Sequence, residues 1–305
     1  MTGRILEIPQ YFDVILSDFG RAAAINYTSR FSLLEQEAIQ HELAQTGLPF
    51  FDEYRRTMFS LVGDVEFIKR TQINSAKRTG AIGKDILIGL DGSTIPVDLA
   101  VRIEELLLSE VVLALNRGHR NIRVVIPCNT LSPLSVALHE ALAEGADYII
   151  DRARIVPSSA RFPEYLRDSK IRVCTVVDSV LSVLSSSSSE RDLLVLGTAG
   201  TVEIYAAEIQ KAASHSGLSV VRLSEGHQDL VHQVLAASLE REPGSMGEMR
   251  RTLEREVIEP NLSKEKETLV VEACTDFRLG LGLSSLDIFA QLMVDEVYGA
   301  DTEAL

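Results

Sequence analysis

The sequence contains no tryptophan, only three cysteines and only nine prolines in 305 residues. Without indole rings, a core has to be built from aliphatic side chains, and a hydrophobic share of 46% supplies them. Cys128, Cys174 and Cys274 form no CxxC pair and no even framework. That excludes a disulfide scaffold and points to free thiols in a reducing cytoplasm. No further Cys or His stands at ligand spacing, which argues against a metal centre. Positive charge is scarce as well: 30 Lys and Arg face 44 Asp and Glu, for a net charge of −14. A phosphate backbone needs a clustered basic face, and anionic lipid repels an acidic one, so neither nucleic acid nor a membrane is an expected partner. No apolar run reaches the length of about 18 residues that marks a membrane span, and Met1–Gln10 shows no secretory pattern. A glycine-rich dinucleotide fingerprint is also missing. What remains is a cytoplasmic α/β chain whose partner is a small molecule.

The pattern that is present falls into parts. Residues 1–83 read as a helical N-terminal extension: Phe31–Gln45 has amphipathic helical spacing, Tyr54–Arg70 is partly helical, and no chemical motif stands out. From residue 84 strands and helices alternate. Apolar runs at 85–90, 122–126, 148–150 and 171–177 read as strands, and 97–115 and 133–143 as helices. Five consecutive serines, Ser185–Ser189, read as a linker. The pattern then restarts with strands at 192–196, 218–223 and 268–271 and helices at 202–215, 249–257 and 286–297. Runs buried on both faces and alternating with helices argue a largely parallel sheet. The expected organisation is a leader at 1–83, α/β domains at 84–185 and 190–285, and a C-terminal helix at 286–305 packing back on the first domain.

Each unit has a strand that ends in a cysteine: VVIPCNT at 124–130 and LVVEACTD at 269–276. Ligands of open parallel sheets bind at the carboxyl ends of strands, so both thiols are placed to face a crevice. Cys174, inside IRVCTVV, reads instead as a small apolar filler. Two thiols facing each other across a substrate can run a two-sided proton transfer. A thiolate removes a proton from carbon and the opposing thiol delivers one to the other face. Thiol pKa values of about 8.5 lie near enough to neutrality for both roles. The hydrogen α to a carboxylate is weakly acidic, so neutral donors must hold the developing charge. Asn129, Thr130, Thr198, Thr201 and Thr275 are candidates.

PCNT at 127–130, GTAGTVEIY at 197–205 and ACTD at 273–276 resemble the three signatures of the cofactor-independent aspartate/glutamate racemase superfamily. The resemblance spans roughly residues 85–297. It implies two pseudo-symmetric α/β domains with the site in the cleft between them, no pyridoxal phosphate, no metal, and a homodimer. It makes Cys128 and Cys274 the acid/base pair, with Asn129, Thr130, Thr198, Thr201 and Thr275 binding the carboxylate and amine of an amino acid or dicarboxylate. Asp276 resembles the acidic position of aspartate-type members and leans the reading toward an acidic amino acid. It reads either as a group that shapes Cys274 or as a carboxylate capping the next turn. Asp91-Gly92-Ser93 resembles the Asp-Ser-Gly turn of glutamate racemases and adds Asp91 and Ser93 as substrate-binding candidates. Arg152, Arg154, Arg161 and Arg278 are candidate partners for an acidic side chain. The activity this implies is an isomerase, a racemase or epimerase at Cα. Its alternatives are a maleate isomerase-like cis–trans isomerase and a catalytically silent amino-acid-binding protein.

Overall fold

The computed structural model describes residues 11–17, 21–44, 56–63, 87–88, 94–95, 97–155, 157, 159–185, 189–211, 217–240, 246–274 and 279–298. The chain begins with strand β1 (Tyr11–Leu16), helix α1 (Arg21–Ala44) and strand β2 (Thr57–Val62). Two-residue strands β3 (Leu87–Ile88) and β4 (Thr94–Ile95) pair antiparallel with each other. Helix α2 (Val97–Asn116) leads to β5 (Asn121–Ile126). Helices α3 (Leu134–Glu144), α4 (Ala146–Ala153) and α5 (Phe162–Arg167) follow, then β6 (Lys170–Thr175) and α6 (Val176–Leu184). The second half runs β7 (Arg191–Leu196), α7 (Ala199–Lys211), β8 (Leu218–Val220), α8 (Glu225–Glu240) and α9 (Met246–Leu253). It closes with β9 (Glu267–Glu272), β10 (Leu283–Ser284) and α10 (Ser285–Tyr298).

Two four-stranded parallel sheets result, in the orders β2-β1-β5-β6 and β8-β7-β9-β10. The orders match strand for strand, so β1 corresponds to β7, β2 to β8, β5 to β9 and β6 to β10. The duplication extends to side chains at the edge strands. Thr175 at the end of β6 accepts a hydrogen bond from the Asp178 N–H (3.1 Å), and Ser284 at the end of β10 accepts one from the Asp287 N–H (3.2 Å). Each is a Ser/Thr-x-x-Asp helix start, which satisfies an N–H the first turn would otherwise leave unpaired.

The expected two-unit α/β architecture is thus present, and so is a long helix in the leader. The leader also carries two strands that the sequence reading lacks. β1 and β2 make up half of the first sheet. Val14, Ile15 and Leu16 are buried on both faces, the signature of an interior parallel strand, but the run is only six residues long. The 54–70 stretch reads as helical, yet its described core is strand β2, paired in register with β1. The apolar run at 85–90 is no first strand of a parallel sheet: Leu87–Ile88 belongs to the small antiparallel ribbon. Tyr148–Ile150 lies in helix α4 instead of a strand, with Ile149 and Ala153 buried on one helical face four residues apart.

Three cores follow from strand alternation. Phe12, Val14, Leu16, Ile122, Val124 and Ile126 point to one side of the first sheet, against α2–α5. Leu194, Leu196 and Val270 point outward from the second sheet against α8 and α9. Between the halves Ile15, Val125, Leu193, Val195 and Val271 meet side chains of α1, α6, α7 and α10. That central layer also buries an ion pair. Arg123, fully buried, donates from Nε and Nη2 to the two carboxylate oxygens of Asp13 at 2.7 and 2.9 Å. The two residues sit opposite each other on β1 and β5. The remaining guanidinium nitrogen donates to the Met293 carbonyl at 2.9 Å, in α10. No helix among the described residues is long and apolar enough to cross a membrane.

Candidate functional site

Both cysteines lie where strand ends place them. Cys128 follows β5 with extended backbone (φ −132°, ψ 119°) and opens a helical turn, Asn129–Leu131. Its carbonyl accepts from Leu131 N–H (3.2 Å) and from the Ser132 hydroxyl (3.4 Å). Cys274 follows β9 by two residues, and its neighbour Ala273 donates its N–H to Leu196 O of β7 at 3.0 Å. None of the three cysteines is in a disulfide.

Helix α7 starts between the two cysteine segments. Thr198 caps it: its hydroxyl accepts from Thr201 N–H (3.2 Å), and its carbonyl accepts from Val202 N–H (3.0 Å). Thr201 is buried, and its hydroxyl lies 3.1 Å from that of Thr198 and 3.5 Å from that of Thr130. Three hydroxyls in a row share two links, so one proton is left over for an acceptor at an end of the chain. On the opposite flank, a β-carbon at Gly197 would sit 3.5 Å from that of Ala273. The beginning of α7 therefore touches the Asn129–Thr130 turn after Cys128 on one side and the residue before Cys274 on the other. A helix start offers N–H groups and a positive dipole end to a carboxylate.

Of the residues expected from sequence, the structure joins Thr130, Thr198 and Thr201 and sets Asn129, next to Cys128, and Ala273, next to Cys274, beside the beginning of α7. Cys128 itself packs on the outer core of the first sheet and Cys274 on that of the second. Asp91, Ser93, Thr275, Asp276 and Arg278 lie outside the described residues. By sheet order the first half's counterpart of the end of β7, just before Thr198, is the end of β1, where the Ser17 N–H donates to Val62 O at 2.6 Å. Three of the arginine candidates already face carboxylates: Arg152 pairs with Glu104, Arg154 with Glu105 and Arg161 with Glu164. Burial pushes the Cys174 thiol up to about 11, which keeps it protonated and suits its reading as a filler. Among the described residues no group of three His, Cys, Asp or Glu side chains gathers around a possible metal position.

Several supporting residues were not visible in the sequence. Tyr205 of α7, fully buried, donates its hydroxyl to Asn129 Oδ1 at 3.0 Å, and Asn129 Nδ2 donates to Ser285 Oγ at 3.4 Å. The Asn129 amide is thereby fixed by two residues of the second half. Burial holds the Tyr205 hydroxyl well above the ordinary phenol range, so it remains a donor. On α8, Gln228 donates to the Gly197 carbonyl at 2.9 Å, and His232 Nε2 accepts the Ala199 N–H at 3.1 Å. These two residues, one helical turn apart, grip both sides of Thr198. An acceptor role fixes the His232 proton on Nδ1. Tyr205 stands within the GTAGTVEIY stretch, but nothing in a single sequence marks it as reaching across to Asn129. Phenylalanine at position 205 would leave Asn129 Oδ1 buried and unpaired. The expected cost is about 1–3 kcal/mol in unfolding free energy. Denaturant titration measures it, and an unchanged midpoint would show that this bond carries no weight.

The fold is a duplicated α/β fold of two four-stranded parallel sheets. It is shared with the aspartate racemase of Picrophilus torridus, at a TM-score of 0.51 and 15% identity over 95% of this chain and 94% of that one. An aspartate racemase homologue from Pyrococcus horikoshii aligns over 95% of this chain and 99% of its own, with a TM-score of 0.46 and 13% identity. No protein-family description matches the sequence, and a search of curated proteins finds no relative.

Proposed function

We propose that the protein is a cofactor-independent amino-acid racemase or epimerase that inverts Cα with Cys128 and Cys274, and that its substrate is an acidic amino acid such as aspartate or glutamate. One observation carries the reading: the capped start of α7 meets Thr130, two residues after Cys128, through Thr201, and Gly197 just ahead of that start lies against Ala273, the residue before Cys274. In this reading a carboxylate held at that helix start takes one thiol from each half of the duplicated fold.

In the proposed step one cysteine, as thiolate, takes the Cα proton and becomes a thiol. The electron pair left on Cα delocalises into the carboxylate. The Gly200 N–H of the first turn of α7 and the terminal hydroxyl of the Thr130–Thr201–Thr198 chain hold the added charge. The opposing thiol gives its proton to the other face and becomes the thiolate, so the enzyme ends in the mirror protonation state. Asn129, with its amide fixed, offers its second Nδ2 proton to the same carboxylate. Thr275 and Asp276 would complete the Cys274 side, and Asp91 and Ser93 enter through the sequence resemblance alone. The acidic substrate is supported by Asp276 and by the name of the Picrophilus torridus enzyme that shares the fold. The reading includes a homodimer and a cytoplasmic location.

Incubation with L- and D-aspartate and with L- and D-glutamate in heavy water tests this directly. Deuterium is expected at Cα, together with the opposite enantiomer, and dialysis against a chelator should leave the rate intact. Absence of Cα exchange across a panel of amino acids overturns the proposal, and conversion of maleate under the same conditions would replace it with cis–trans isomerisation.

A further inference from the structure

Two residues before Cys274, strand β9 ends in a carboxylate that the acid/base chemistry does not use. Glu272 is 3% exposed. On β9 it alternates onto the same side as Val270 and Cys274, which pack in the outer core of the second sheet. A buried carboxylate is costly unless its oxygens are satisfied. Among the described residues no Lys or Arg forms an ion pair with it. Its partners are backbone: Oε1 accepts the Leu281 N–H at 2.7 Å and the Leu279 N–H at 3.2 Å. Gly280 between them has φ +68°, a left-handed conformation that turns successive N–H groups toward one point and makes a nest for an anion. Two residues on, a β-carbon at Gly282 would lie 2.3 Å from Val270 O, so the returning chain is pressed flat against β9. Burial raises the Glu272 carboxyl pKa, while the nest and the nearby Arg250 pull it back toward the charged form.

The carboxylate thus grips the chain on both sides of Cys274: covalently two residues upstream, and through two N–H groups where the chain returns. A six-residue strand ending in an apolar pair would leave the thiol's segment tethered at one end only. We infer that Glu272 is a positioning residue for Cys274, an internal anion whose nest of backbone N–H groups fixes the segment bearing that thiol. The inference rests on the two-thiol reading for its catalytic meaning, but the clamp itself can be read without turnover.

The experiment is alkylation of the intact protein with iodoacetamide, with rates at Cys128, Cys174 and Cys274 resolved by peptide mass mapping. In the wild type Cys174 is the slowest site, since its thiol titrates only at about 11. Glu272→Leu removes the oxygen that accepts both N–H groups and should raise the Cys274 rate by about tenfold relative to Cys128 in the same sample. Glu272→Gln keeps one carbonyl-type oxygen for the nest and should give a smaller rise. If the leucine variant fails to fold, the glutamine variant carries the test. A general loss of structure would speed Cys128 and Cys174 as well, whereas the clamp predicts a change confined to Cys274. Cys274 rates equal in all three proteins, or a rise shared by all three thiols, overturn the inference. Where the wild type exchanges Cα hydrogen, Glu272→Leu should lower kcat more than it raises KM. A wild type that shows the selective alkylation pattern but no exchange would sink the racemase proposal and leave the clamp standing.

Discussion

Serine at position 128 or at position 274 is expected to lower racemisation by about 10²–10⁴-fold, the usual contribution of a positioned acid or base. The replacement is nearly isosteric, so the turn after β5 and its Leu131 N–H to Cys128 O bond should survive. What disappears is a group whose pKa, about 8.5 in its ordinary state, lets it hold or release a proton near neutrality. A hydroxyl does neither. Because the proposed turnover uses one thiolate and one thiol in each direction, either substitution alone should stop the inversion. The two variants should nevertheless differ in exchange. The enzyme that keeps its base on one face still removes the Cα proton of one enantiomer and returns solvent deuterium to the same face. Isotope uptake without inversion, for opposite enantiomers in the two variants, would assign each thiol to its face. Cys174→Ser, by contrast, should leave turnover intact. Retained inversion in either Cys128→Ser or Cys274→Ser would end the two-thiol mechanism.

The largest effect on stability is expected at Arg123. Its guanidinium is fully buried, meets Asp13 in a two-point bond and holds the Met293 carbonyl of α10. Removing one partner strands the other charge in the central core, at a cost of about 3–5 kcal/mol. Arg123→Met and Asp13→Leu should each lower stability by that amount in urea titrations. The double variant should recover much of the loss, since an apolar pair of similar volume is often as stable as a buried ion pair. Additive losses in the double variant would mean that Arg123 acts mainly through the Met293 carbonyl. Glu296 beside Nη1, itself paired with Arg172, is the local route by which charge at residue 123 reaches the protein surface.

How far the sequence discloses this protein depends on whether the signal is local. The two cysteine-ended strands, the capped turn at Thr198 and the helices at 97–116 and 285–298 are short-range patterns, and they appear where periodicity puts them. Burial on both faces marks β5 and β7 as interior strands for the same reason. β1 escapes because Asp13 interrupts its apolar run. A carboxylate in a strand reads as an exposed position until Arg123, 110 residues later, is known to face it. Leu87–Ile88 misleads in the other direction, since an apolar run that ends at Asp91-Gly92 fits a strand and turn in a parallel or an antiparallel setting. The residues that orient the site, Tyr205, Ser285, Gln228, His232 and Glu272, are invisible for one shared cause. Each acts on a backbone or amide group brought to it by the tertiary fold, and no spacing in the chain encodes that meeting.

The attachment of α10 also has a consequence for how the protein is made. Arg123 leaves the ribosome 170 residues ahead of Met293, whose carbonyl completes the arginine's hydrogen bonding. Phe289, Ala290 and Val294, which cover the same core, follow together with Met293. A first half that folds as it is made must therefore keep an ion pair and an apolar face waiting for α10. Its sheet becomes dry only when that helix docks. A nascent chain arrested before residue 285 should stay open to proteases and chaperones even though every strand of its first sheet has already been synthesised.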